Sequence, residues 1–214
     1  MNDARFPPVI VVHGLWVHGL VMEYLAHQLT ANGFAAQTWS YPSMRLTLTE
    51  NAERLAEYCK GLAAPTLNFV AHSMGGLVVL KMLELAPEIH CKRVILLGTP
   101  YTGSAAAQRL EQFPGGGLLL GNSIRQWLSE PRPGVYAQAT GVIAGTRGLG
   151  LGAMIGAELP EPHDGVVAVE ETAIPGVTER ITVHASHTEM LFSSEVARQC
   201  CAFLRHGRFD PVAA

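Results

Sequence analysis

Short hydrophobic runs alternate along this chain with longer stretches in which hydrophobic positions recur at helical spacing. The candidate strands are residues 9–12, 35–40, 67–71, 94–97, 142–144 and 181–183. Continuous runs of β-branched and leucine residues, such as Val9-Ile10-Val11-Val12, are typical of strands that are covered on both faces. The pattern therefore predicts a sheet of about six strands.

Helical stretches lie between these strands. The first spans about 19–32, and the second follows a capping-box pattern formed by Thr47 and Glu50. A third begins after Ser73, and the last spans 194–204. Strands that alternate with helices predict an α/β fold in three layers, with a mostly or wholly parallel sheet. Binding sites in such folds lie outside the carboxyl ends of the strands.

One long segment, residues 101–135, interrupts the alternation. It has a helical pattern over about 104–110 and a triple glycine that is followed by Leu118, Leu119 and Leu120. Long insertions in compact domains are usually functional or mobile. We expect this one to form a cap or lid above a site, within a single domain of residues 1–214. The alternative is that the insertion has no functional role and only adds leucines to the core.

The composition limits the classes of partner. Of the 214 residues, 48% are hydrophobic and 15% are charged, and the net charge is −3. This balance supports a large core and gives no basic patch for nucleic acid. No hydrophobic run is long enough to span a bilayer. The sequence therefore predicts a protein without nucleic-acid or transmembrane interactions.

Two further features concern compartment and phosphate binding. The N-terminus lacks the pattern of a signal peptide, and the four cysteines show no metal-ligand spacing, which is typical of thiols in a reducing compartment. We therefore expect a cytoplasmic protein. The glycine-rich string at 145–152 has no Walker lysine–serine pair, so it predicts a flexible turn and not a phosphate site.

The boundary between the third strand and its helix carries a candidate nucleophile. In Ala71-His72-Ser73-Met74-Gly75, a serine stands between small residues where a strand turns directly into a helix. This is the pattern of a nucleophile elbow, in which the serine hydroxyl is lifted above the sheet. Such strings also arise by chance, so the assignment depends on the rest of the site.

A serine hydroxyl needs a base, normally a histidine that is oriented by a carboxylate. His187 follows the sixth candidate strand. Of the three aspartates, Asp3 and Asp210 lie in terminal tails, which leaves Asp164. Ser73, Asp164 and His187 thus fall near strand ends in the order nucleophile, acid, base, which is the order of α/β-hydrolases. We predict that these three residues are catalytic.

Other residues remain open for these roles. His184 is an alternative base, although its place in the sixth strand predicts a buried side chain. Glu170 or Glu171 is an alternative acid. His72 and His163 adjoin the predicted catalytic positions and are expected only to pack or to face solvent.

The first strand ends in a turn, His13-Gly14-Leu15, that is a candidate anion site. The backbone N–H groups of Leu15 and Met74 can point to one spot and hold the oxyanion of a tetrahedral intermediate. Donors of this kind contribute roughly 3–4 kcal/mol each to transition-state stability. His13 itself is expected to stabilise the turn. The residues that follow can line the acyl pocket or simply begin the next helix: Trp16, Val17 and His18.

Four strings in the chain resemble those of bacterial α/β-hydrolases of the lipase and esterase type, over residues 9–204. They are Val12-His13-Gly14-Leu15, Ala71-His72-Ser73-Met74-Gly75-Gly76, His163-Asp164-Gly165-Val166-Val167 and Ser186-His187-Thr188-Glu189-Met190-Leu191. The resemblance implies an α/β-hydrolase fold in a minimal, six-strand form. It also implies ester hydrolysis through an acyl-serine, with no cofactor and no metal that the aspartates present can hold.

By position, the resemblance assigns the catalytic roles to Ser73, Asp164 and His187. It assigns the oxyanion hole to Leu15 and Met74. A small-molecule ester with a small or medium acyl chain is the substrate that it implies. Candidates for the acyl pocket, each of which can equally belong to the core, are Trp16, Leu118, Leu119, Leu120, Trp127 and Met154.

Two other functions remain open at this level. A thioesterase or an acyltransferase uses the same three catalytic groups and differs only in the leaving group or the acceptor. A non-catalytic α/β binding module is the alternative from another class. The presence of all three candidate catalytic residues favours an enzyme.

Overall fold

Six parallel strands form one sheet in the computed structural model, which describes residues 6–132, 138–150 and 158–211. The strands lie in the order β2-β1-β3-β4-β5-β6, and each neighbouring pair is parallel. They are β1 Val9–Val12, β2 Ala36–Trp39, β3 Leu67–His72, β4 Cys91–Leu97, β5 Ala139–Gly145 and β6 Glu179–Val183. The predicted six-stranded α/β fold is confirmed, and the sheet is wholly parallel.

Helices connect the strands and cover the sheet. They are α1 Glu23–Ala31, α2 Leu48–Gly61, α3 Met74–Leu85, α4 Ala105–Glu111, α5 Gly116–Ser129 and α6 Ser194–His206. Short 3-10 turns occur at Gly19–Met22, Glu170–Thr172 and Glu189–Phe192. The predicted capping box is confirmed, because the Thr47 side chain accepts from the backbone N–H of Glu50 and the Glu50 carboxylate accepts from that of Thr47.

The core lies on both faces of the sheet. On one face, Phe69 of β3 packs with Leu55 and other residues of the helices α2, α3 and α5. On the other face, the neighbouring Val70 packs with Leu25 of α1 and Phe203 of α6. Because successive strand residues point to opposite faces, both must be hydrophobic. This three-layer arrangement explains the continuous hydrophobic runs in the sequence.

The insertion after β4 contains two helices. The helical pattern over about 104–110 corresponds to α4, whereas α5 was not predicted from its glycine-rich start. Gly121, with φ 68° and ψ 172°, kinks α5. Beyond the kink, Ser123 accepts a hydrogen bond from the buried Asn51 amide of α2 at 2.9 Å. The second half of α5 is thereby fixed to the sheet-covering helices.

Two properties of the described ranges bear on the predicted partners. None of their helices has the length and hydrophobicity needed to cross a membrane. The glycine-rich string at 145–152 is described as far as Gly150, where it forms a loop, and its last two residues lie outside the described ranges.

Candidate active site

Ser73 occupies a strained turn between β3 and α3. Its backbone has φ 54° and ψ −127°, a conformation that non-glycine residues rarely adopt. Its N–H donates to the Leu97 carbonyl at 2.8 Å, and its own carbonyl accepts from Gly76 N–H and from the Thr99 hydroxyl, both at 3.0 Å. These backbone contacts stabilise the strained conformation and leave the hydroxyl at the edge of a cavity.

Close approach of the turn after β1 explains the small residues around Ser73. A Cβ atom on Gly75 would overlap the carbonyl oxygen of His13. A Cβ atom on Gly14 would lie only 2.9 Å from the Cβ of Ser73. The predicted requirement for small residues at the elbow therefore has a steric cause, which is the passage of the Val12–Gly14 backbone against it.

His187 and Asp164 form a buried hydrogen-bonded pair. The His187 Nδ1 donates to Oδ2 of Asp164 at 2.7 Å, and the His187 backbone N–H donates to the Asp164 carbonyl at 2.9 Å. The other carboxylate oxygen, Oδ1, accepts from the backbone N–H groups of Val166 at 2.9 Å and Val167 at 2.7 Å. This pairing fixes the tautomer that leaves His187 Nε2 as a proton acceptor.

The Asp164 carboxyl group is 1% exposed, yet its surroundings favour the charged form. Burial raises the pKa of Asp164, but the charge and hydrogen bond of His187 and the two backbone N–H groups outweigh burial and hold the pKa below its usual value. Asp164 is therefore ionised at neutral pH and able to stabilise a positive charge on His187.

His72, the last residue of β3, connects this strand to the loop that carries His187. Its Nε2 donates to the backbone carbonyl of His187 at 3.0 Å, and the two rings lie 4.5 Å apart. Burial, with the nearby charge of His187, lowers the pKa of His72 to about 3, so its imidazole is neutral at neutral pH. His72 therefore has a structural contact that the sequence did not reveal.

His13 and Tyr41 hold the turn after β1. The His13 Nδ1 donates to the Gly14 carbonyl at 2.8 Å, and its Nε2 accepts from Tyr41 N–H at 3.2 Å. The Tyr41 hydroxyl donates to the His13 carbonyl at 2.9 Å, and burial lowers the pKa of His13. This agrees with the expected turn-stabilising role of His13. Tyr41 was not singled out from the sequence, where only its position at a strand end is visible.

Leu15 and Met74, the predicted oxyanion donors, both line the cavity beside Ser73. Met74 is the first residue of α3, where a helix leaves N–H groups without an acceptor of its own. In the described ranges, the N–H groups of these two residues donate to no protein group. The structure thus leaves both N–H groups without a protein acceptor at residues that line the cavity.

The cavity at Ser73 has a volume of about 250 Å³ and a mainly hydrophobic lining. His187 and the predicted pocket residues Trp16 and Leu120 line it. Its further lining residues are Leu15, Val17, Val21, His72, Met74, Pro100, Ser104, Ala106, Ala107, Leu110, Ile124, Gly150, Val166, Val167, Thr188 and Leu191. Helices α4 and α5 thus supply one wall, and the carboxyl end of the sheet supplies the other.

Other predicted pocket residues lie elsewhere. Leu118 and Leu119 are 79% and 53% exposed, because α5 turns Leu120 toward the cavity and the two preceding side chains outward. The Leu119 carbonyl accepts a hydrogen bond from the indole of the cavity residue Trp16 at 2.7 Å, but the Leu119 side chain does not line the cavity. Trp127 is buried in the core, and Met154 lies outside the described residues.

The alternative acids are engaged elsewhere. Glu171 accepts hydrogen bonds from the backbone N–H groups of Ala105 and Ala168, and Glu170 is exposed. Asp210 pairs with Arg198 of α6 at 2.6 Å. Asp3 lies outside the described residues.

The other histidines that the sequence left open face solvent or make contacts of their own. His184 follows β6 and is exposed, so the prediction that it is buried was wrong: the strand ends one residue earlier. His163 accepts from Gly165 N–H at 3.0 Å within its own turn.

Known proteins share this architecture. The sequence model of the alpha/beta hydrolase family matches residues 9–197. The mature lipase BlEst2 of Bacillus licheniformis superposes with a TM-score of 0.76 at 19% identity, covering 97% of this chain and 94% of that one. For a metagenomic carboxyl esterase the TM-score is 0.68 at 17% identity, with 97% and 76% covered.

A third solved structure has a different printed activity. The NocB thioesterase domain, in covalent complex with a fluorophosphonate nocardicin G analog, superposes with a TM-score of 0.61 at 17% identity, covering 96% of each chain. At these identities the likeness concerns the fold. No curated protein sequence matches the chain.

Proposed function

The chain belongs to the alpha/beta hydrolase family, and on that premise we propose that it is a serine hydrolase that cleaves carboxylic esters of small or medium acyl chains. The observation that carries the proposal is the 2.7 Å hydrogen bond between Asp164 and His187, because the His187 side of this pair lines the same cavity as the strained Ser73. A purely structural role gives no reason to place a serine and an imidazole on one cavity with a buried carboxylate behind the imidazole.

The reaction proceeds through a covalent acyl-serine. As His187 Nε2 removes the hydroxyl proton, the Ser73 oxygen attacks the ester carbonyl carbon, and the N–H groups of Leu15 and Met74 stabilise the oxyanion. The ester C–O bond then breaks, and His187 gives the proton to the leaving alcohol. A water molecule, deprotonated by His187, attacks the acyl-serine, and His187 returns the proton to the Ser73 oxygen as the acid leaves.

Asp164 orients His187 and stabilises its charged form in both half-reactions. Its carboxylate holds the His187 ring with Nε2 directed away from the pair, and it stabilises the imidazolium that forms in each half-reaction. The hydrophobic wall from α4 and α5 contains Ala106, Leu120 and Ile124, which favours an acyl chain without charge. We further propose that residues 101–135 act as the cap over this site.

A thioesterase is the second candidate function. The fold likeness to the NocB thioesterase domain extends over 96% of both chains, and the same catalytic groups serve a thioester as well as an ester. The two candidates differ in the leaving group, so the ratio of kcat/KM for matched thioesters and oxyesters separates them.

A fluorophosphonate probe followed by intact-protein mass spectrometry tests the proposal, because this probe reacts with activated serines. The wild type and the exposed-serine control Ser129→Ala should gain one adduct, and Ser73→Ala should gain none. The same three proteins are then assayed on p-nitrophenyl esters of increasing acyl length and on acyl thioesters.

Two outcomes would contradict the proposal. If folded wild-type protein shows no adduct and no turnover, a non-catalytic module is the better description. If Ser73→Ala retains the adduct or the turnover, another residue is the nucleophile.

A further inference from the structure

Glu171 is a buried carboxylate that the proposed chemistry does not use. It lies in the 3-10 turn Glu170–Thr172, seven residues after Asp164 in the chain, and is 8% exposed. A buried carboxylate is costly unless hydrogen bonds compensate for the loss of water. Its position therefore calls for partners, and the structure supplies them from two different parts of the chain.

Each carboxylate oxygen accepts a hydrogen bond from a backbone N–H group. Oε1 accepts from Ala105, the first residue of α4, at 2.6 Å, and Oε2 accepts from Ala168 at 2.9 Å. The Glu171 carbonyl also accepts from Thr102 N–H at 3.0 Å. One side chain thus joins the start of the cap to the loop that carries Asp164.

The two joined segments form adjoining parts of the cavity lining. The segment that begins at Ala105 continues with Ala106 and Ala107, which line the cavity. The other segment contains Val166 and Val167, which also line the cavity and whose N–H groups hold Asp164. The Glu171 carboxylate and the bond from Thr102 N–H to the Glu171 carbonyl therefore join these two parts of the lining.

We propose that Glu171 is a positioning residue that sets the width of the acyl cavity by fixing α4 to the Asp164 loop, and thereby determines the preference for acyl length. This inference rests on the proposed ester hydrolysis at Ser73. An acetyl group reaches only the surroundings of Ser73, whereas a longer chain extends along Ala106 and Ala107. Loosening α4 therefore weakens the binding of long chains more than that of short ones.

The experiment compares Glu171→Gln and Glu171→Ala with the wild type on p-nitrophenyl acetate and octanoate. Glutamine keeps one acceptor oxygen, and alanine keeps none. We expect the octanoate-to-acetate ratio of kcat/KM to fall about tenfold in Glu171→Ala, with a smaller fall in Glu171→Gln, because the bonds lost are to a charged group. Glu170→Gln, the same change at the exposed neighbour, is the control and should keep the wild-type ratio.

The ratio separates positioning from a general loss of structure. Partial unfolding lowers kcat/KM for both esters equally and leaves the ratio unchanged. An unchanged ratio in both Glu171 variants would overturn the inference.

Hydrogen exchange gives a readout that does not need turnover. Peptides that cover residues 103–111 and 166–172 should exchange faster together in both Glu171 variants, and at the wild-type rate in Glu170→Gln. If wild-type protein hydrolyses no ester, the proposed function fails, but this measurement still tests whether Glu171 fixes α4 to the Asp164 loop. Unchanged exchange in both segments would overturn the inference that Glu171 joins them.

Discussion

The two walls of the cavity are held in place by different means. On the sheet side, Ser73 and Asp164 are fixed by three backbone-mediated hydrogen bonds to Ser73 and by two N–H groups that bind Asp164. On the cap side, side chains make most of the attachments: the Glu171 carboxylate accepts from the start of α4, the Trp16 indole donates to α5, and hydrophobic residues of both helices pack into the core. Backbone hydrogen bonds therefore hold the sheet side, whereas side-chain contacts hold most of the cap side.

This difference separates two properties of the site. Groups that perform the reaction need positions within a fraction of an ångström, and strand ends with their backbone hydrogen bonds provide them. Groups that only select the acyl chain tolerate adjustment, and a tethered pair of helices provides it. Variants on the sheet side should therefore affect all substrates equally, and variants in the cap should change selectivity.

Asp164→Asn should have the largest effect. Without the carboxylate, His187 is no longer held in the productive tautomer or stabilised as a cation, and kcat should fall about 10⁴-fold. The fall should be the same for acetate and octanoate esters, because the change lies on the sheet side. Steady-state kinetics with both esters measures it.

Asp210→Asn is the matched control, since Asp210 pairs with Arg198 on the surface of α6. Near-normal kcat in Asp164→Asn would show that the acid assignment is wrong. A loss confined to one acyl length would contradict the separation of the two walls.

His72→Gln should change how stability depends on pH. The folded-state pKa of His72 is about 3, below the value of about 6.5 in an unfolded chain, so the unfolded state binds the extra proton between these values. Uptake of this proton by the unfolded state lowers the free energy of unfolding. The loss is absent above about pH 6.5 and grows by about 1.4 kcal/mol for each pH unit below it, down to about pH 3. Glutamine should remove this slope and still donate to the His187 carbonyl.

Urea unfolding of both proteins between pH 6 and pH 4 measures the slope, with the exposed-histidine variant His90→Gln as the control. Equal slopes in the wild type and His72→Gln would mean that His72 is not buried in its neutral form beside His187.

Trp16→Phe should have the smallest effect. It removes the hydrogen bond to the Leu119 carbonyl and keeps an aromatic ring, so the attachment of α5 should weaken by about 1 kcal/mol. The kcat/KM for octanoate should fall about fivefold, and that for acetate should fall less. Phe113→Leu, a change at an exposed ring in the insertion that carries Leu119, is the control. An equal fall on both esters would place Trp16 on the sheet side of the comparison.

The sequence predicted those features that depend on local patterns. Runs such as Val9–Val12 identified the strands because both sheet faces are buried. Asp164 and His187 were brought together as expected, because parallel strands deliver their carboxyl ends to one edge. The triad order along the chain therefore carried spatial information.

Features that depend on distant contacts were not predictable. Gly116 has a low intrinsic preference for helix, yet α5 forms because tertiary contacts such as Asn51–Ser123 fix its second half. Tyr41 and Glu171 act through partners that are far away in the chain or in another element. No local periodicity reveals such pairs.

The wholly parallel sheet also affects how the protein acquires activity after synthesis. No neighbouring strand pair is joined by a hairpin, because every pair is parallel, and the residues around Ser73 extend from His13 to His187, so the site contains mostly long-range contacts. Such contacts form late and slowly during folding. On the proposed function, partly folded chains lacking β6 and the loop after it have Ser73 without His187, so we expect them to hydrolyse no ester until the sheet is complete.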